Sequence, residues 1–189
     1  MSHALEKPMN ERYTGTAITL HWLMAVLLIT LVGVGFYMQN LPVSPWKLKL
    51  YSWHKWAGII AFALLLVRLG WRATHRPPEL PATMTPLMRL AAHAGHGLLY
   101  LLMLAIPLSG WLMSSAKGFQ TVFFGVLPIP DLLSKDLELA HTLGEVHEVL
   151  NLLLIAVVAG HVLAALKHHL IDKDDVLTRM APRHGCRQG

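Results

Sequence analysis

The stretch VHEVLNLLLIAVVAGHVLAALKHH, Val146–His169, decides the fold and raises the question of function. Its apolar core has the length of about 20 residues that an α-helix needs to cross the hydrocarbon core of a bilayer. The same stretch nevertheless contains His147 near one end and His161 near the other. Ionisable residues inside a membrane span are costly and mark a functional site by default. The stretch therefore predicts a membrane helix that carries a site.

The composition of the whole chain is typical of a membrane protein. Of its 189 residues, 54% are hydrophobic and only 14% are charged, against about 25% charged in soluble domains. We interpret residues 1–189 as one integral membrane domain, with lipid as a partner. The formal net charge of +5 comes from basic residues at span ends, which does not favour nucleic-acid binding. The single cysteine, Cys186, excludes an internal disulfide and a C-x-x-C-H haem attachment motif.

Four apolar segments predict an all-α membrane protein with a four-transmembrane-helix bundle. They run about Ala17–Met38, Trp53–Gly70, Leu90–Ser114 and Glu145–Leu166. Prolines break the connections between them. No A-x-A cleavage site follows the first segment, so we expect it to be kept as an anchor. Pro107 lies inside the third segment, where we expect a kink.

The distribution of lysine and arginine predicts the orientation in the membrane. Eleven of the sixteen basic residues lie in the N-terminal segment, the second loop and the C-terminal tail, with the adjoining span ends. Both termini are therefore expected to be cytoplasmic in this multi-pass protein. The longest loop, about Ser115–Gly144, is expected to face outward.

Four histidines inside the spans fall into two layers. His54 and His147 lie near the outer ends of their spans, and His21 and His161 lie near the cytoplasmic ends. The two histidines of the fourth span are fourteen residues apart, about 21 Å along a helix and within about 40° of the same direction. Both rings should therefore point into the same side of the bundle, as needed for two stacked cofactors.

Haem is the cofactor that these pairs suit. Two imidazoles from different helices give iron both of its axial ligands, whereas zinc prefers four ligands and neither layer offers a cysteine. Without a covalent attachment motif the two haems would be b-type. Gly58, Gly144 and Gly160 lie near His54, His147 and His161 in turn, where a missing side chain lets a flat macrocycle approach the backbone. Gly33 and Gly35 fit helix packing equally well.

Other histidines compete with this assignment. A lone histidine in a membrane helix is more often a hydrogen-bonded packing residue than a ligand. His93 and His96 begin the third span at the cytoplasmic depth, so either could replace an inner ligand. His96 could instead contact a propionate or line a quinone pocket. We expect His141 in the outer loop, and the pair His168–His169 as a solvated pair at the membrane surface.

The motifs of all four spans resemble those of the bacterial cytochrome b561 family of di-haem inner-membrane proteins. The matching stretches are ITLHWLMAVLL, WHKWAGIIAFALLLVRLGWR, AHAGHGLLYLLMLAIPLSGWLM and VHEVLNLLLIAVVAGHVLAALKHH, with VLTRMAPR at the C-terminal end. The resemblance implies that His21 and His161 hold the cytoplasmic haem and that His54 and His147 hold the periplasmic one. Residues Gly118–Leu139 match no family motif.

The resemblance also implies electron transfer across the bacterial inner membrane, to or from a quinone. Some members resemble superoxide oxidases, which take electrons from periplasmic superoxide and reduce ubiquinone; another small reductant is the alternative donor. Lysines near the outer layer could attract an anion, although snorkelling explains each of them alone. They are Lys47, Lys49, Lys55 and Lys117.

The best candidates for contacts with propionates or substrate are basic residues near the two layers. Lys55 and Lys117 are the candidates at the outer layer, whereas Arg68 and Arg72 are those at the inner layer. Charge-assisted hydrogen bonds would join the arginines to propionates. The positive-inside topology alone also explains both arginines.

Two other functions fit the same sequence. The chain could be a membrane-anchor cytochrome b subunit that carries electrons between a partner dehydrogenase or hydrogenase and quinone. The apolar segment Phe119–Pro130 (FQTVFFGVLPIP) would then be a surface for a protein redox partner. A membrane protein with purely structural histidines is the third class, and it predicts a colourless protein.

Overall fold

Four long helices dominate the computed structural model, which describes residues 12–182. They are α1 (Gly15–Gln39), α2 (Pro45–Thr74), α3 (Pro86–Ala116) and α4 (Leu137–Lys167). All four are long and apolar enough to cross a membrane. The predicted all-α, four-span fold is thereby confirmed. Cys186 and the two chain ends, which were predicted to be cytoplasmic, lie outside the described residues.

Capping side chains define where the helices begin. In each helix a polar side chain accepts a hydrogen bond from a backbone N–H of the first turn, which satisfies a donor that has no partner inside the helix. The capping residues are Thr14, Ser44, Thr85 and Asp136. Pro45 and Pro86 occupy the first helical positions, where the fixed φ of proline suits a helix start. The caps explain why the helices extend beyond the apolar segments.

The early start of α4 corrects the expectation for His141. The cap at Asp136 starts the helix at Leu137, so His141 lies on α4 and not in the outer loop. Its ring is exposed and lies 3.7 Å from the carboxylate of Glu145, one turn further along. The outer loop is correspondingly shorter than the predicted Ser115–Gly144.

The helices form an up-and-down bundle with an uneven pattern of packing. The indole of Trp71, near the end of α2, donates to the hydroxyl of Thr14 at the start of α1 over 2.9 Å, so these two ends meet. Close backbone packing joins α1 to α2, α2 to α3 and α3 to α4. Within residues 12–182, α4 makes no comparable packing with α1 or α2. Space between α4 and the first two helices is therefore bridged by side chains.

Apolar side chains cover the outside of the bundle. Ile29 on α1 is 69% exposed and Leu163 on α4 is 66% exposed. Such large apolar surfaces are unfavourable in water, but they are the surfaces that lipid tails contact in a membrane. The exposure pattern thus agrees with a multi-pass membrane protein.

A short hairpin closes the end of the bundle between α3 and α4. It consists of β1 (Val122–Phe123) and β2 (Leu127–Pro128), paired antiparallel. The indole of Trp56 donates to the carbonyl of Val122 over 2.8 Å, and that of Trp111 to the carbonyl of Pro130 over 3.0 Å. These bonds hold the loop on top of α2 and α3.

The opposite end closes through a turn that sequence reasoning did not foresee. A π-helical turn, His168–Asp172, follows α4, and Lys173 with a φ of 52° reverses the chain. The reversal brings the carboxylate of Asp174 to 2.6 Å from Nδ1 of His168. His168 is only 8% exposed, so the expectation of a solvated pair was wrong for this residue, whereas His169 is exposed.

The C-terminal segment then contacts the start of the chain. The guanidinium of Arg12 donates to the carbonyls of Thr178 and Ala181, over 2.9 Å each. The indole of Trp22 donates to the carbonyl of Met180 over 2.9 Å. These bonds join the start of the described chain and α1 to the segment that follows α4. They connect the ends of α1 and α4, whose backbones do not pack closely against each other.

Candidate cofactor site between the helices

Three imidazoles meet at the inner layer, at the end of the bundle where the described chain begins and ends. The rings of His21 on α1 and His161 on α4 have their centroids 6.2 Å apart, with an interplanar angle of 66°. The ring of His96 on α3 is 5.5 Å from that of His161, centroid to centroid. Each ring therefore comes from a different helix, and His161 is common to both contacts.

The separation between His21 and His161 fits two imidazoles that share one metal ion. Imidazole nitrogens bind metals at about 2 Å, and the ring centre lies about 1 Å beyond, so two ligands on opposite sides place their centroids about 6 Å apart. The distance of 6.2 Å meets this condition. The shorter distance from His96 to His161 meets it less well, so the geometry favours His21 over its rival.

Arg68 brings a positive charge to this layer from α2. It lies within electrostatic reach of His21, His96 and His161. Its guanidinium donates to the hydroxyl of Tyr100 over 3.2 Å and to the carbonyl of Ala17 over 3.5 Å. No carboxylate pairs with it in the part of the chain that the structure describes. An anionic group such as a haem propionate would supply the missing negative charge.

The outer layer places one residue from each helix around two imidazoles. His54 on α2 and His147 on α4 lie close enough to interact electrostatically. A Cβ atom at Gly35 of α1 would be 3.6 Å from the ring of His54, and one at Gly110 of α3 would be 3.2 Å from the ring of His147. Gly110 in particular leaves the room that the ring of His147 occupies.

Helix α3 holds the ring of His147 through hydrogen bonds. Its Nδ1 atom lies 3.1 Å from the carbonyl oxygen of Ile106 and 2.9 Å from the hydroxyl of Ser109. The hydroxyl of Ser109 also donates to the carbonyl of Ile106 over 2.8 Å. Histidines that bind metals usually donate their other ring N–H to such an acceptor, which fixes the orientation of the ring.

The ring of His54 is less constrained. Its Nδ1 atom is buried and has no hydrogen-bond partner among the described residues. Buried polar atoms without partners are rare and call for an explanation. A metal or a group carried with it would supply one, because an imidazole nitrogen is a standard metal ligand.

The glycines near the histidines divide into two groups. A Cβ atom at Gly58 or Gly160 would have no heavy atom within 4 Å, apart from its chain neighbours and the backbone of its own helix. Both positions therefore border open space. Gly144 instead packs against helix α3, with a Cβ position 3.5 Å from the sulfur of Met113. Gly144 therefore faces α3 in the structure, and the expectation that it makes room for a macrocycle stays a prediction.

The side chains of the two histidine layers fit a haem group. The histidine pairs bridge the space that α4 leaves open toward α1 and α2. The donor set consists of imidazoles, which are axial ligands of b-type haem, and Arg68 supplies an unbalanced charge for propionates. The residues present thus suit a flat, iron-containing, anionic group.

The basic residues of the outer end differ in their contacts. Lys47 donates to the carbonyl of Leu41 over 2.6 Å, and Lys49 lies over the ring of Trp53 at 5.1 Å. Lys55 donates to the carbonyl of Phe119 in the hairpin loop over 3.1 Å. Lys117 is exposed and lies within electrostatic reach of both Lys55 and His147. Lys117 is thus the lysine whose charge is best placed to act at the outer layer.

Sequence reasoning missed the residues of α3 that hold His147. Ile106, Ser109 and Gly110 surround Pro107, a residue that was interpreted only as a kink. The signal in the sequence was the run of small and helix-disfavouring residues in IPLSG, Ile106–Gly110. Such a run inside a membrane helix marks a close approach by a neighbouring group.

Comparison with known proteins decides the family. The family model described as prokaryotic cytochrome b561 matches residues 12–183. The chain belongs to the cytochrome b561 family. It is 37% identical to cytochrome b561 homolog 2 of Escherichia coli (strain K12), over 95% of this chain and 96% of that protein. It is also 30% identical to the probable superoxide oxidase CybB of Yersinia pestis, over 93% of this chain and 98% of the relative.

A third relative is cytochrome b561 homolog 1 of Escherichia coli (strain K12), 29% identical over 92% of this chain and 98% of that protein. Membership confirms the predicted resemblance and the oxidoreductase class. This cytochrome b561 is a membrane electron-transfer protein, and the family implies b-type haem. The four apolar helices agree with a membrane protein of this family.

Proposed function

We propose that this cytochrome b561 is a superoxide oxidase that passes electrons from superoxide, outside the membrane, to ubiquinone. The observation that carries the proposal is the presence of two imidazole layers at opposite ends of one helix bundle, each with a histidine from α4. The similarity to a probable superoxide oxidase supports the choice of donor.

Two b-type haems would be held by these layers. His54 and His147 would bind the outer one, and His21 and His161 the inner one. When bound, the haems supply single-electron carriers whose potentials depend on ligands, hydrogen bonds and burial. With two histidines holding each iron, neither superoxide nor quinone would need to bind the metal, and the chemistry that the haems would supply is transfer of single electrons.

The protein's own residues would orient the ligands and balance charge. Ile106 and Ser109 hold the proton of His147 on Nδ1, which leaves Nε2 as the atom with a lone pair. Arg68 would pair with a propionate at the inner layer, and Arg72, whose guanidinium lies 5.7 Å from the centre of the Tyr100 ring, would be a second contact there. Lys55 and Lys117 would serve propionates or substrate at the outer layer.

The overall reaction balances without a covalent step on the protein. Two superoxide anions each give up one electron and leave as dioxygen. One quinone takes up the two electrons with two protons and leaves as the quinol. The positive charge of Lys117 would raise the local concentration of the anionic donor.

The proposed orientation places the hairpin end in the periplasm and the other end in the bacterial cytoplasm, in the inner membrane. Residues 1–189 would form a single domain with both termini cytoplasmic. The arginines at the inner ends of α2 and α3 support this orientation, because cytoplasmic loops carry the excess of positive charge.

Optical spectroscopy on the purified protein tests the proposal. The oxidised protein should show a Soret band, and superoxide from a xanthine oxidase system should reduce it within seconds, with reoxidation by a short-chain ubiquinone. Superoxide dismutase should abolish the reduction. A coloured protein that superoxide does not reduce would overturn the choice of donor, and a colourless protein would overturn both haem assignments.

A second candidate function is supported by the hairpin. Phe124 is 59% exposed and Val126 is 83% exposed at its tip. An apolar tip outside the bundle could bind a partner dehydrogenase or hydrogenase subunit, with the chain as its membrane anchor. Co-purification of a large redox subunit, together with inertness toward superoxide, would favour this function over the first.

A further inference from the structure

A row of arginines extends from the inner histidine layer along α2 to the end of the bundle. Arg68 and Arg72 are four residues apart on α2 and therefore lie on one face of that helix, and Arg76 follows two residues after the helix ends at Thr74. All three line a cleft, together with Tyr13 at the start of α1, Trp71 on α2 and Tyr100 on α3. The cleft therefore lies where three helices meet at the membrane surface.

The lining of the cleft is strongly positive. Besides the three arginines it includes His75, and none of its lining residues is an aspartate or a glutamate. Arg68 already donates to the hydroxyl of Tyr100 and to the carbonyl of Ala17. Arg72 and Arg76 are exposed and lie further from the histidines along the row. The charge of these two arginines is therefore accessible from outside the bundle.

The size of the cleft limits what can enter it. Its volume is about 40 Å³, whereas a single water needs about 10–15 Å³ on the same measure. The cleft is therefore small and suits a compact group such as a phosphate. His21 and His161 do not line it. Arg68 and Arg72, the candidate propionate contacts, line its inner part, whereas Arg76 lines the cleft without a proposed role at the cofactor site.

We propose that this cleft binds the phosphodiester headgroup of an anionic phospholipid. Arginine pairs with phosphate through a planar fork of donors, and basic pockets between membrane helices are suited to anionic headgroups. Tyr13, Trp71 and Tyr100 are aromatic residues of the kind that favour the membrane–water interface. The acyl chains would then lie along the exposed apolar surface beside α1 and α2.

Lipid binding by the purified full-length protein tests this assignment. The protein in detergent is titrated with mixed micelles that contain either dioleoylphosphatidylglycerol or dioleoylphosphatidylcholine, and bound lipid is measured by native mass spectrometry. We expect one phosphatidylglycerol to bind in preference to phosphatidylcholine. Arg76→Gln should weaken this binding about fivefold, because each cation near a membrane surface contributes to the attraction of an anionic lipid. The double variant Arg72→Gln/Arg76→Gln should weaken it about 25-fold, because two such contributions are lost.

Matched variants and a competitor separate the alternatives. Lys173→Gln removes one charge from the same end outside the cleft and should leave the affinity unchanged, whereas Arg76→Lys should retain most of it. Equal binding of both lipids, or wild-type binding by the double variant, would overturn the proposal. Displacement of the lipid by excess inorganic phosphate would assign the cleft to free phosphate instead. Loss of haem from Arg76→Gln would assign the row to the cofactor and also overturn it.

Discussion

The ring of His147 on α4 is held by the backbone of α3, because its Nδ1 atom lies 3.1 Å from the carbonyl oxygen of Ile106. A carbonyl oxygen can only accept a hydrogen bond, so Nδ1 carries the proton. Nε2 is then unprotonated and is the atom able to bind a metal. A main-chain group of one helix thereby selects the tautomer of a candidate ligand on another.

Ser109 should tune the reduction potential of the outer site. Its hydroxyl is the nearer of the two acceptors around Nδ1 of His147, at 2.9 Å. In Ser109→Ala the imidazole loses electron density, so we expect the midpoint potential to rise by tens of millivolts. This follows because a hydrogen bond contributes about 1 kcal/mol and a one-electron potential moves about 59 mV per tenfold change.

Redox titration followed by optical spectroscopy measures this shift. Ser52→Ala is the matched control, because the hydroxyl of Ser52 donates to the carbonyl of Leu48 within its own helix. Haem content should stay at the wild-type level in both variants. An unchanged or lowered potential in Ser109→Ala would contradict the role assigned to this hydroxyl.

Each outer histidine should be required for one of two haems. In His54→Ala or His147→Ala we expect the ratio of haem to protein to fall by about half, because one imidazole alone holds b-type haem weakly. Pyridine haemochrome analysis measures the ratio. His141→Ala removes an exposed imidazole from the same helix as His147 and should lose no haem. Retention of both haems after either outer substitution would show that the pairing is wrong.

The inner layer offers a choice between two rings that both contact His161. We expect His21→Ala to lose the inner haem and His96→Ala to retain it, because the His21–His161 separation of 6.2 Å suits a shared metal better than 5.5 Å. Electron paramagnetic resonance of the oxidised protein distinguishes loss of an axial ligand from a change nearby. Loss of the inner haem in His96→Ala alone would make His96 the ligand.

Lys117 should accelerate the reaction with superoxide. It is an exposed cation near His147, and an anionic donor approaches faster when a positive charge lies near the point of reaction. In Lys117→Gln we expect the second-order rate of reduction by superoxide to fall about threefold at low ionic strength, with less dependence on salt. Lys173→Gln, at the opposite end, should react like the wild type.

The rate of haem reduction in stopped-flow mixing checks this prediction. An equal loss of rate in both lysine variants would indicate a general effect of net charge. No loss in Lys117→Gln would mean that superoxide reacts elsewhere on the protein.

Periodicity and depth were sufficient to predict the helices and the two layers. The apolar segments predicted four spans. The fourteen-residue spacing of His147 and His161 predicted that both lie on one face of a helix, and the structure has both residues on α4. The third imidazole of the inner layer, His96, was also anticipated as a rival to His21. Depth alone could not rank the two, because ring separation depends on how far α3 lies from α4.

The sequence was less informative where capping and chain reversal decide the structure. Asp136 starts α4 early and thereby moves His141 onto the helix. The left-handed Lys173 returns the chain so that Asp174 meets His168, which buries a ring that looked solvated. Neither effect has a hydropathy signal, since both depend on a single polar residue at a helix boundary.

The order of the helices along the chain has a consequence for biosynthesis under the proposed haem assignment. Because this helix supplies one histidine to each layer, a nascent chain that stops before residue 161 has no complete inner pair, and one that stops before residue 147 has neither pair. The ribosome therefore synthesises His21 and His54, the other two candidate ligands, before the helix that would complete both pairs. On the proposed assignment, loading of both haems would follow insertion of α4, and a chain truncated before α4 would enter the membrane without either complete pair.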